Sequence, residues 1–151
     1  MTTSIRFQRA NFIVRDLDEA LKFYRDVLGF EVAFIADSKE DSYSYPVFQI
    51  DKNAAMRWAT LSTAQQERVM ALTEVKGVEI APIPHPRRAA IVLDIAEIDA
   101  VVAGAKALGL TVYDEEVLET HDGRTGREVG IADADDNLVV IYHIPKAGVS
   151  S

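Results

Sequence analysis

Cysteine is absent from this 151-residue chain, which removes disulfides, thiolate metal sites and a cysteine nucleophile together. Long apolar runs are missing as well. None approaches the roughly 20 residues a membrane helix needs, so no membrane partner is expected. Residues 1–15 lack the apolar stretch and small-residue cleavage site of a secretory signal, and a cytoplasmic location is expected. Basic charge is scarce: 16 Lys and Arg face 24 Asp and Glu, for a net charge of −8. Nucleic acid and anionic surfaces would be repelled, so neither is an expected partner. What remains is 48% hydrophobic and 26% charged, the balance of a chain that can bury a core. At this length one domain, 1–151, is expected.

The strongest positive signal is internal repetition. Val14 to Val32 reads VRDLDEALKFYRDVLGFEV, and Ile95 to Val112 reads IAEIDAVVAGAKALGLTV. Ile98-Asp99 matches Leu17-Asp18, and Gly109 matches Gly29 after a one-residue gap. In the first copy Asp16 is placed to cap a helix, with Glu19 as the returning carboxylate of a capping box. Leu17, Ala20, Leu21, Tyr24, Val27 and Leu28 fall on one helical stripe, and Gly29 stops it. In the second copy Val101, Val102, Ala105 and Leu108 form the stripe, and Gly109 closes it.

Strands flank each helix. Phe7–Val14 and Ala89–Ile95 precede them; Phe30–Ala36 and Leu110–Glu119 follow. Each half then adds two strands: Ala55–Ser62 and Arg68–Glu74 in the first, Gly126–Asp133 and Leu138–Ile144 in the second. Laying MRWATLS over GREVGIA matches Arg57 with Arg127, and laying RVMALTE over NLVVIYH matches Leu72 with Ile141. Val47–Ile50 would be a rival third strand, but the repeat disfavours it. Residues 37–53 are therefore an excursion placed to cover a ligand, since loops that long are functional or floppy. The expected fold is α+β: two βαβββ modules, about 5–75 and 89–144, joined by the proline-bearing linker 76–88. Neither module can bury both faces of its sheet alone, so the two together are expected to form a curved mixed sheet around a cavity.

Paired βαβββ modules with the run Val14 to Phe30 and the turn Asp133-Ala-Asp-Asp-Asn137 before a strand resemble the vicinal oxygen chelate superfamily. That is the glyoxalase, bleomycin-resistance and extradiol-dioxygenase group. The second motif departs from the usual Asp-Pro-Asp-Gly-Asn at Ala134 and Asp136. The resemblance spans nearly the whole chain. It implies a divalent metal on the cavity side, held by His, Gln or Glu in the first strand and Glu or His in the last strand of each module. It also implies a homodimer. Mapped onto this chain, the four ligand positions are Arg9, Ala71, Ala90 and Val140. A guanidinium stays protonated and repels a cation, and alanine and valine offer no donor. No cofactor is therefore expected, and a divalent metal only at a non-standard site.

Strand alternation then sorts the remaining side chains. The ligand-position parity carries Arg9, Asn11, Asp94 and Tyr142, with Trp58 and Glu128 by the same rule; the opposite parity is apolar and should face the helices. Trp58 and Tyr142 suit a planar ligand, and Arg9 with Asn11 suits its carboxylate or phenolate. Equally open is a structural reading, in which Arg9 pairs with Asp94 or Glu128 and Trp58 fills space. Asp94 and Glu128 are the catalytic candidates, as the only cavity-side carboxylates. His85 lies in the linker, His121 in a hairpin turn, and His143 on the outward parity, so the histidines do not form a site. The acidic turn 133–137 lacks the spacing and closing Glu of a calcium loop, and a solvated turn is expected. Gly123, Gly126 and Gly130 open no helix, so no dinucleotide fingerprint applies.

The leading expectation is a small-molecule binder or metal-independent enzyme acting on an aromatic or carboxylated compound. Two rivals stand beside it. One is a metal-dependent lyase, isomerase or dioxygenase with displaced ligands; the other is a dimeric scaffold with a filled cavity.

Overall fold

A computed structural model describes residues 3–146, so the outermost residues of the expected 1–151 domain lie outside it. The chain divides into two compact units, Met1–Ala81 and Pro82–Ser151, and the division falls inside the expected linker. Among the described residues no helix is long and apolar enough to cross a membrane.

The first unit runs β1 (Ala10–Val14), α1 (Leu17–Tyr24), β2 (Glu31–Asp37), α2 (Ser44–Phe48), β3 (Ala55–Ser62) and β4 (Met70–Lys76). Its sheet has the order β1-β4-β3-β2, with β1 parallel to β4 and the other pairs antiparallel. The second unit runs β5 (Ala90–Asp94), α3 (Ile98–Ala107), β6 (Thr111–Val112), β7 (Glu116–Glu119), β8 (Thr125–Ala132) and β9 (Leu138–His143). Here the order is β5-β9-β8-β6, and β7 also pairs with β8.

The repeat seen in the sequence is reproduced in the pairing. Arg57 lies opposite Glu74 and Trp58 opposite Thr73, while Arg127 lies opposite His143 and Glu128 opposite Tyr142. Ala10 pairs with Met70 as Ile91 pairs with Val139. These registers make Arg9 the counterpart of Ala90 and Ala71 the counterpart of Val140, as the sequence alignment has them. The helix-facing parity is buried in both units: Ala59, Leu61, Met70 and Leu72 in one, Val129, Ile131, Val139 and Ile141 in the other.

Several elements differ from expectation. Helix α1 is capped by Asp16, whose carboxylate accepts from the Glu19 N–H at 3.0 Å, but the Glu19 carboxylate does not return to the cap. It takes Lys22 Nζ at 2.7 Å instead. The regular helix ends at Tyr24 rather than at Gly29, because the ladder loosens into longer bonds: Leu28 N–H reaches the Phe23 carbonyl at 2.8 Å and Phe30 N–H reaches that of Tyr24 at 3.0 Å. Gly29 then turns the chain at φ 93°, where a side chain would be strained. Residues 7–9 precede β1, since β4 begins only at Met70. The expected strand 110–119 is broken in two at 113–115. There the Glu115 carboxylate turns to Arg127, at 2.6 and 3.0 Å.

Residues 38–53 form no third strand, as the repeat requires, and the segment packs on the sheet. Pro46 sits in the short helix α2, and Tyr45 is buried in a cluster with Ala54, Met56 and Val75, flanked by Ile13, Ile50, Val78 and Ile80. The Tyr45 hydroxyl donates to the Ala54 carbonyl at 2.7 Å. Lys52 Nζ lies 4.3 Å from the Tyr45 ring centre and donates to the Glu40 carbonyl at 2.7 Å. Ile13, Met56 and Val75 share the parity of Trp58, so the excursion packs on the ligand-position face of the sheet.

The acidic turn is likewise more structured than expected. Asp133 is buried, and its Oδ1 accepts from the N–H groups of Asp135 and Asn137 at 2.9 and 2.8 Å. Asp136 adopts φ 68° and binds Arg87 and His85. It is a partly exposed turn held by internal bonds, because Asp133 supplies the acceptors that the reversing backbone needs.

Candidate functional site

The ligand-position face of the first unit carries a cavity of about 490 Å³. Its floor is the sheet: Asn11 from β1, Ala36 from β2, Trp58 from β3, and Ala71 and Thr73 from β4, with Arg9 just before β1. Its rim is the start of the excursion, with Asp37, Ser38, Lys39, Ser42 and Ser44. Three residues expected to bind ligand, Arg9, Asn11 and Trp58, are thus brought together. The structure adds Lys39 and the serines, which strand parity could not find because they lie outside any strand.

The floor is preorganised. Thr73 Oγ1 donates to Asn11 Oδ1 at 3.0 Å, which leaves the Asn11 amide N–H groups to face the cavity. The Trp58 ring is braced edge-on by Phe34 with centroids 4.9 Å apart. Arg9 Nε is buried without a hydrogen-bond partner, and so is Thr60 Oγ1 in the adjoining row. A buried donor left unpaired costs about 1–3 kcal/mol; of the two residues only Arg9 lines the cavity.

The remaining expected residues belong to the second unit. Asp94, Tyr142 and Glu128 occupy one row across β5, β9 and β8. Asp94 accepts from His143, Nδ1 to Oδ1 3.0 Å. Parity assigned these two to opposite faces; Asp94 is the last residue of β5, and its carboxylate meets His143 all the same. The contact is partly exposed. Glu128 faces Glu116 of β7 in register, a neighbour not anticipated. His85 contacts Asp136 at 2.9 Å, and His121 is exposed in its turn.

Beneath the helices the two units repeat one device. Arg57 Nη2 bonds Asp18 at 3.1 Å, and Arg127 Nη2 bonds the matching Asp99 at 2.7 Å. Arg57 also donates to the buried Glu74 at 2.9 and 3.2 Å, and Glu74 accepts from the Leu17 N–H at 2.6 Å. These bonds, Glu74 first and Asp18 second, hold the Arg57 guanidinium above the usual arginine range. In the second unit His143 stands where Glu74 would be, so Arg127 turns to Glu115. Arg127 in turn holds the pKa values of Asp99 and Glu115 below the ordinary carboxylate range, chiefly by hydrogen bonding.

No three His, Asp or Glu side chains cluster to hold a metal among the described residues. At Arg9, Ala71, Ala90 and Val140 the side chains do not fit a divalent cation, having no lone-pair donor between them.

No curated protein matches the chain. Among solved structures, a glyoxalase family protein of Bacillus cereus superposes with a TM-score of 0.72 at 17% identity, covering 95% of this chain and 96% of that one. A glyoxylase/bleomycin resistance protein/dioxygenase domain from a Frankia species gives 0.63 at 14%, covering 95% and 100%. A mutant of the fosfomycin resistance protein FosX of Listeria monocytogenes, complexed with Mn(II) and dihydroxypropylphosphonic acid, gives 0.60 at 18%, covering 94% and 93%. At these identities the likeness is one of fold. The family model for the Glyoxalase/Bleomycin resistance protein/Dioxygenase superfamily matches residues 6–141, and with most of its length so matched the chain belongs to that superfamily.

Proposed function

We propose that the first unit binds a planar organic anion, an aromatic or carboxylated small molecule, without a metal. One observation carries this: a cavity of about 490 Å³, within the usual 300–1,000 Å³ of ligand sites, with the buried and unpartnered Arg9 Nε in its lining. The guanidinium takes the carboxylate or phenolate, the Asn11 amide orients it, and Trp58 lies against the ring. Catalysis is not needed for this reading; sequestration alone would use the same groups. Calorimetry across small aromatic acids should find a ligand whose binding falls at least about 30-fold in Arg9→Ala, the loss of a charge-assisted bond worth about 2 kcal/mol. Unchanged affinity in that variant would remove Arg9 from the site.

A second reading has one support, the Mn(II) in the FosX structure: a metal bound by displaced ligands such as Asp94 and Glu128. Elemental analysis of protein purified without chelator separates the two. The metal-independent reading expects well below one equivalent of Mn, Fe, Ni or Zn per chain, and a full equivalent would end it.

A further inference from the structure

The order of residues along the cavity supports a more specific ligand, on the reading just given. Arg9 stands at one end, two residues before Asn11. Asn11, Ala71 and Thr60 form the next row, and Thr73, Trp58 and Ala36 the row after it. Beyond these lies Met56, four residues from Thr60, whose carbonyl takes the Ser38 N–H at 3.0 Å. Lys39 follows Ser38 and lines the same cavity. At roughly 3.3 Å per residue, the backbones at the two ends are separated by about 20 Å of strand, with the indole between them. Arg9 and Lys39 both line the cavity, beside opposite edge strands of the sheet, so a long cationic side chain stands at either end of it.

Lys39 is also held in place. Ser38 continues the β2–β3 ladder on one side of it. On the other, the Glu40 carbonyl is tied to Lys52, and the Lys39 carbonyl accepts from the Ser42 N–H at 3.0 Å. A backbone fixed on both flanks reduces the ordering cost of using the side chain. Among the described lining residues Asp37 is the single carboxylate, so cationic groups outnumber it there in a chain whose net charge is −8.

We infer that the cavity is built for an elongated aromatic diacid, with one anionic group on Arg9 and Asn11, its ring on Trp58, and the second anionic group on Lys39 and the rim serines. Lys39 is then the specificity-determining residue, selecting diacids over monoacids, and Asp37 opposes the second charge.

The test compares terephthalate, phthalate and benzoate by calorimetry on the whole chain. Terephthalate should bind about ten-fold or more tightly than benzoate, one added ion pair's worth, and phthalate, with its acids adjacent, should resemble benzoate. In Lys39→Met the terephthalate-to-benzoate ratio should collapse to about one, and in Asp37→Asn it should rise. A ratio near one in the parent protein, or one indifferent to Lys39→Met, overturns the diacid inference. Arg9-dependent benzoate binding in that case would leave the anion site standing. Failure of all three acids to bind would overturn both.

Discussion

Glu74 shows what one residue's surroundings decide. Its carboxylate is buried and serves Leu17 N–H and two donors of Arg57, so it joins the start of α1 to β3. Removing one partner of a buried pair strands the other. Glu74→Ala should therefore lose about 3 kcal/mol in a urea titration, and Glu74→Gln clearly less, since an amide oxygen still accepts one bond. Equal midpoints for Glu74→Ala and the parent would mean the network contributes nothing. The repeat did make Glu74 the counterpart of His143, both away from the ligand face. Nothing in the sequence told that Glu74 would meet Arg57, because that depends on the register of β3 against β4. Arg9 was legible for a simpler reason: a cation at a position that ought to be a metal ligand conflicts with its own pattern.

Among elements, the excursion carries the least local signal and the most consequence. Its Tyr45 lies in a stretch without helical or strand periodicity, yet it is buried against Val75 and Met56. Tyr45→Phe leaves the Ala54 carbonyl short of its donor and should cost about 1 kcal/mol. Hydrogen exchange should show the Ile50 amide, bonded to the Tyr45 carbonyl at 2.9 Å, protected beyond the level of a free loop; exchange at the rate of unstructured peptide would contradict the packed excursion. Strand β8 makes a different demand. A Cβ at Gly126 would lie 2.3 Å from the His143 carbonyl oxygen, so Gly126→Ala must push β9 away and should cost about 2 kcal/mol or more. The helices and most strands were readable because caps, stripes and alternation are local. The break at 113–115 was not, since Glu115 leaves the strand for a partner on β8.

For the molecule as a whole, the excess of acidic residues links stability to pH. Asp16, Asp26, Asp99, Glu115, Asp122 and Asp136 all have lowered pKa values, from hydrogen bonds to backbone N–H groups, a hydroxyl or neighbouring basic side chains. A carboxylate that titrates lower folded than unfolded stabilises above its unfolded value, near 4, and that contribution disappears as pH falls through the folded value. The urea midpoint should thus stay level from pH 7 to about 5 and drop below about 4. Most of these groups are exposed, so added salt should shrink the drop; a midpoint rising in acid would reverse the argument. By itself the sequence determined the two βαβββ modules, their register and the lack of donors at the four ligand positions, because each rests on periodicity or on the chemistry of single residues. Only the tertiary structure decided that the excursion packs on the ligand-position face and closes a cavity there. It alone paired Glu74 with Arg57 and Asp94 with His143. Those outcomes depend on contacts between segments far apart in the chain, where local pattern holds no information.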